Sequence, residues 1–199
     1  MSGCDCHFEV RDAEQRRVLL RLLAINGAMF AVEMFVGILA HSTGVMADSL
    51  DMLADAFVYG IGLYAVGRSE DSKYQAARWS GFFQIILAVS ILFDVVRRAR
   101  QGSEPNSILM MGVSVVALVA NAYCLKLLQK HRDGEVHMRA SWIFSRSDVI
   151  ANAGVILAGV MVAVTNSAWP DLIVGFAIAL VVLNGGRAIL RNARRSQLQ

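Results

Sequence analysis

The chain has 199 residues, 56% of them hydrophobic and 18% charged, with two prolines and a formal net charge of +3; its mean hydropathy is +0.50. A soluble domain has about a quarter of its residues charged, so this composition excludes an ordinary water-soluble globule and points to a bilayer. The basic balance is accounted for by Lys and Arg gathered between apolar runs, and no nucleic-acid partner is needed to explain it.

Six apolar stretches follow one another, at 19–40, 43–67, 77–96, 107–129, 140–165 and 169–190. Each is close to the ~20 residues that a helix needs to cross a hydrocarbon core about 30 Å thick. Within lipid the backbone has to satisfy its own hydrogen bonds, and runs this long with so little alternation cannot close into a barrel. The predicted fold class is therefore an all-α integral membrane protein with six transmembrane helices. Residues 1–18 are expected to form a cytoplasmic amino-terminal tail, 19–190 the membrane domain and 191–199 a short cytoplasmic tail. The first segment has no apolar core followed by a cleavage site, so a removable signal peptide is not expected.

Basic residues set the orientation. Arg11, Arg16, Arg17 and Arg21 precede or open the first span, Arg68, Lys73 and Arg78 follow the second, Lys126, Lys130, Arg132 and Arg139 follow the fourth, and Arg187, Arg191, Arg194 and Arg195 close the chain. All of these fall on one side, against only Arg97, Arg98 and Arg100 on the other, which predicts cytoplasmic termini in a multi-pass cell (inner) membrane protein. Cys4, Cys6 and Cys124 are too few and too scattered for a disulfide framework. Cys4, Cys6 and His7 could together capture a borderline metal ion, although a disordered tail is the reading preferred here. Cys124 reads as a packing residue.

Taken in order, the spans carry an unusual set of acids. Glu33 lies in the first. Asp48, Asp51 and Asp55 lie in the second, where spacings of three, four and seven put them on one helical face. Asp94 ends the third beside Arg97 and Arg98, where a solvated ion pair is expected, and the segment from Gln101 to Ser107 has the turn chemistry of a break before the fourth. Asp148 lies in the fifth, with Ser145 and Asn152 near the same face. An aspartate at the middle of a membrane helix costs about 2.5 to 3.5 kcal/mol on insertion scales. Two carboxylates a turn apart, facing a third on another helix, make an oxygen-rich pocket that a divalent cation can fill. The same groups take up protons when the ion leaves, because a metal ligand must be deprotonated. Asp51, Asp55 and Asp148 are the candidate metal ligands, with Ser145, Asn152 and Asp48 as possible additions; Asp48 and Glu33 stand equally between a ligand role and a gating or folding role. The bland alternative for the three aspartates is helix packing or an ion pair with Arg146.

The pattern resembles the cation diffusion facilitator family. The resemblance covers Asn26 and Glu33 to Gly37 in the first span, STGVMADSLDMLAD over 42–55, SDVIANAGVILAG from Ser147 and WPDLIVGFAIALVVL from Trp169. It implies a homodimeric metal–proton antiporter carrying zinc, or in some branches cadmium, cobalt or another divalent ion, between helices two and five. Asp51 and Asp55 match the acidic pair of helix two, and Asp148 the later member of a pair on helix five. Phe144 stands where that family has His or Asp, so a fourth protein ligand is missing from its expected place and zinc selectivity is weakened. The chain is also read as a short form without the family's cytoplasmic domain, with dimer contacts expected on glycine faces at Gly60, Gly62 and Gly67 or at Gly185 and Gly186. No resident cofactor is expected; the partners are a divalent ion as cargo, protons as counter-ions and the bilayer.

Two alternatives stand beside efflux. One is a membrane metal sensor that binds without transporting. The other is a membrane phosphotransferase similar to the CDP-alcohol enzymes, although Asp48-Ser49-Leu50 replaces the Asp-Gly start of their motif and no basic phosphate site follows.

Overall fold

The computed structural model describes residues 3–65, 70–129 and 136–196. They form six α-helices: α1 Gly3–Leu39, α2 Thr43–Ala65, α3 Glu70–Gln101, α4 Ser107–Leu128, α5 Val136–Thr165 and α6 Trp169–Ser196. No strand occurs among the described residues. Five helices contain an apolar stretch long enough to cross a membrane, within Arg16–Leu39, Arg78–Gln101, Ser107–Leu128, Ser145–Thr165 and Trp169–Arg191. The other, α2, has 23 residues, or about 34 Å of helix at 1.5 Å per residue, and is set apart only by its three aspartates.

The helices overrun the expected spans at several ends. α1 begins at Gly3, so the amino-terminal segment continues the first helix where a disordered tail was expected. Its residues explain this: Ala, Glu, Gln, Arg and Leu are good helix formers, and neither Gly nor Pro interrupts the sequence from Cys4 to Asn26. α3 likewise runs past Val96 to Gln101, with Arg98 and Arg100 in its last turn, where cations favour the negative end of the helix dipole. The side chains of Cys4, Cys6, His7, His131, His137 and Phe144, and Gly67, lie outside the described residues.

The molecule is apolar outside and polar inside. Phe35, Phe93, Val119 and Val164 are 66–75% exposed, whereas Asn26, Glu33, Asp48, Asp55, Asn121 and Asn152 are buried. That inversion suits lipid, which solvates hydrocarbon and leaves polar groups to find one another. α2 sits at the centre and packs against each of the other five helices, while α3 pairs closely with α6 and α4 with α5. Small residues permit the α3–α6 approach: a Cβ on Gly186 would meet the Gly81 carbonyl oxygen at 3.0 Å, and one on Gly81 would meet Leu190 Cγ at 2.7 Å. Gly185 lies against Gln84, so the Gly185–Gly186 face is taken up by α3 of the same chain, and Gly60 and Gly62 face Leu23 and Leu19. These glycines, expected on a dimer surface, therefore pack within the protomer.

The connections at 40–42, 102–106 and 166–168 gather at one end. The Asn106 N–H donates to the Ala40 carbonyl at 2.8 Å, and Arg98 Nη1 and Ser103 Oγ donate to the His41 carbonyl at 2.6 and 3.0 Å. Gly102 takes the left-handed φ of +86° that glycine adopts without steric cost. Asn106 then caps α4, its side chain accepting from Leu109 N–H at 3.1 Å. The Asp94 ion pair expected here is present, with Arg98 Nε at 2.7 Å, but it is less solvated than expected because Arg98 turns inward to the α1–α2 turn.

Candidate metal centre

On α2 the residues at 48, 51, 55 and 59 form one inward stripe. Asp48, Asp51, Asp55 and Tyr59 are all buried, and Tyr59 O–H donates to Asp55 Oδ2 at 3.1 Å. α5 faces this stripe with Asp148. Asp148 faces Asp55 across the α2–α5 interface, with Asp55, Asp51 and Asp48 as its electrostatic neighbours. Asn152 Nδ2 donates to the Asp148 carbonyl at 2.8 Å, one turn along α5, which leaves its Oδ1 buried without a partner. Ser145 Oγ is buried and unpartnered as well.

A second acidic group adjoins the first. Glu33 on α1 has Asp48 and Asp51 as electrostatic neighbours. Both carboxyl oxygens of Glu33 and both of Asp48 are buried without hydrogen-bond partners, as are Asn26 Oδ1 and the side-chain atoms of Asn121. Most buried polar groups in proteins are satisfied, so this concentration is where a mobile proton, ion or water has work to do. Among the described residues, no three His, Cys, Asp or Glu side chains stand together at metal-ligand spacing. The three candidate ligands share one interface without converging on one point.

Apolar clusters lie on either side of the carboxylates. Val45, Ala47, Ile91, Met110, Val155, Val162 and Ile178 pack at the α1–α2 end, and Leu19, Leu22, Tyr59, Cys124 and Leu128 pack at the other, with Trp142 against them. Cys124 is thus a buried packing residue, as expected. Arg146 does not pair with the aspartates: it is exposed, and its guanidinium lies 5.9 Å from the Trp142 ring centroid. The ion-pair alternative for Asp51, Asp55 and Asp148 is thereby removed for that side chain.

Sequence reasoning missed two residues. Tyr59 could have been found as the i+4 neighbour of Asp55. Asp171, fully buried at the start of α6, holds the first turn of α2; its only sequence signal is an acid directly after Pro170 at the head of an apolar span.

A central acidic helix opposed by one acid on α5 defines a six-helix membrane bundle with a carboxyl-rich interior. The profile of the cation efflux transmembrane domain matches residues 19–196, and the chain belongs to that family. The family is one of transporters, which sets aside the phosphotransferase alternative. Relatives include the metal cation efflux system protein CzcD of Cupriavidus metallidurans, 25% identical over 89% of this chain and 60% of that protein. The cadmium, cobalt and zinc/H(+)-K(+) antiporter of Bacillus subtilis is 21% identical over 94% of this chain and 64% of its own length. The zinc transporter ZitB of Yersinia pseudotuberculosis is 22% identical over 95% and 64%. The chain therefore spans a little under two thirds of the length of these relatives.

Proposed function

We propose that this protein moves a divalent metal cation, zinc foremost and cadmium or cobalt as alternatives, out of the cytosol in exchange for protons. The observation that carries the reading is the burial of Asp51 and Asp55 on α2 together with Asp148 on α5, two helices that pack against each other. In this reading Asp51, Asp55 and Asp148 are the ligands of the transported ion, supplemented by Asn152 Oδ1, Ser145 Oγ or Asp48. Any proton on these carboxyls leaves when the ion binds, because a coordinating carboxylate must be deprotonated, and it returns when the ion departs. Binding draws the carboxylates of α2 and α5 inward to coordination distance. Exchange between the two faces then requires one apolar cluster to open while the other stays packed, which is alternating access.

The orientation proposed puts both termini in the cytoplasm of the inner membrane, with the Asp94–Arg98 end outward. We include a homodimer, formed on lipid-facing apolar residues, because the α6 glycines are occupied by α3. Phe144 favours a second reading, a membrane protein that binds metal without transporting it, since a phenylalanine four residues before Asp148 offers no ligand atom.

The test is metal flux into proteoliposomes that carry a zinc-sensitive dye and a pH dye. Zinc entry with opposing proton movement, reduced at least about 100-fold by Asp51→Ala and by Asp148→Ala, is the expected result. Flux at the intact rate in Asp51→Ala would remove the ligand assignment. If the intact chain moves no divalent ion and Phe144→His restores movement, the non-transporting reading stands.

A further inference from the structure

The first turn of α2 is held by a different helix. Four N–H groups at a helix start have no intrahelical partner, and a residue just before the helix supplies at most one or two acceptors. Here Ser42 Oγ accepts from Val45 N–H at 3.1 Å, the ordinary N-cap bond. The two preceding donors are taken by Asp171 of α6: Thr43 N–H donates to its Oδ2 at 2.7 Å and Gly44 N–H to its Oδ1 at 2.9 Å. Ser42 O–H also donates to Asp171 Oδ1, at 2.6 Å. The carboxylate is fully buried, and a negative group at a helix amino end is favoured by the helix dipole.

The backbones around this carboxylate leave no slack. A Cβ on Gly44 would stand 2.9 Å from Asp171 Oδ1. One turn along α6, a Cβ on Gly175 would meet Thr43 Cγ2 at 2.9 Å and the Thr43 carbonyl carbon and oxygen at 3.2 Å. Asp171 and Gly175 thus present one face of α6 directly to the start of α2, in close approach to the Thr43 methyl and backbone. Three short bonds to one carboxylate, made from three successive residues, fix both how far α2 slides along its axis and how it is rotated.

We propose that Asp171 is a positioning residue for the α2 carboxylates: by capping α2 from α6 it sets the height and rotation at which Asp51 and Asp55 meet Asp148. The step from cap to site is mechanical. Asp48, Asp51 and Asp55 lie on the same continuous helix that the clamp holds, and a helix transmits rotation and axial displacement along its length. The inference rests on the reading of those carboxylates as ligands of the transported ion. It does not depend on whether transport is coupled to protons.

The experiment uses the full chain in lipid nanodiscs and two readouts, titration with zinc and with cadmium, and hydrogen exchange of the amides of Thr43, Gly44 and Val45. Asn in place of Asp171 keeps the shape but turns one acceptor into a donor facing an N–H. Asp171→Asn is expected to speed exchange at those amides and to weaken metal binding about 10- to 100-fold, the usual effect of removing a group that orients a ligand. Ser42→Ala, which removes one bond of the clamp and is the milder variant, shifts both readouts in the same direction by less. Asn106→Ala is the control: it removes the cap of α4 at the same end of the bundle, and it leaves metal affinity unchanged.

Intact affinity in Asp171→Asn, or an equal loss in Asn106→Ala, overturns the positioning role. If the intact chain binds neither ion, the transport reading falls. The exchange data then still decide the clamp, because unchanged protection in Asp171→Asn overturns it.

Discussion

Asp55 accepts from the Tyr59 hydroxyl of its own helix and has Asp148 of α5 as an electrostatic neighbour. The hydroxyl fixes its rotamer. Tyr59→Phe leaves the ring in its cluster with Leu22 and Cys124 and removes only the donor, so Asp55 loses its orientation while packing is preserved. A metal affinity about tenfold weaker, with the protein still folded, is the expected result of a titration; an unchanged affinity would show that the hydroxyl does no orienting. Affinity in the intact protein should also fall as pH is lowered, since protons compete for the same oxygens. Asp48 and Glu33 differ in kind from Asp55, because none of their carboxyl oxygens has a protein partner.

At the scale of elements, two glycine contacts determine how close the helices come. The α3–α6 pair depends on Gly81 and Gly186, where a Cβ would fall 2.7–3.0 Å from atoms of the other helix. Backbone approach of this kind is a main source of helix association in lipid, where the hydrophobic effect offers no drive between helices. Gly186→Val should push α6 off α3 and lower stability by about 1–3 kcal/mol, the usual cost of overpacking, measured as a drop in thermal midpoint in detergent. The exposed Phe93→Leu on α3 should leave the midpoint unchanged. Since α6 also carries Asp171, the Gly186 variant tests whether the α2 clamp survives a displaced α6.

For the whole molecule, the inside-out distribution governs where changes are tolerated. Val119 on α4 is 67% exposed and Ala117 on the same helix is fully buried. Val119→Lys puts a charge into hydrocarbon, for which about 2.5–3.5 kcal/mol of insertion cost is expected. An insertion assay of α4 should register that penalty, and Val119→Leu should register none. The aspartates of α2 carry the same kind of cost in a helix surrounded by five others, so protein replaces lipid as their solvent. That is why a helix too acidic to stand in lipid alone can occupy the centre of this one.

The sequence by itself determined the class of the fold and the acidic face. Apolar runs near 20 residues dictate helices because lipid leaves backbone groups no other partner. A 3.6-residue period then puts Asp48, Asp51 and Asp55 on one side whatever surrounds them. The relation of Asp148 to Asn152 was legible on the same grounds, whereas Phe144 stood out only against the family it resembles. What only the tertiary structure decided depends on pairs far apart in the chain. The placing of Asp148 opposite Asp55, the packing of Arg146 on Trp142 in place of an aspartate, the use of Gly186 against α3 and the capping of Thr43 and Gly44 by Asp171 leave no periodic trace. The pattern along a helix records which face is buried; which side chain of another helix meets that face is settled when the bundle packs.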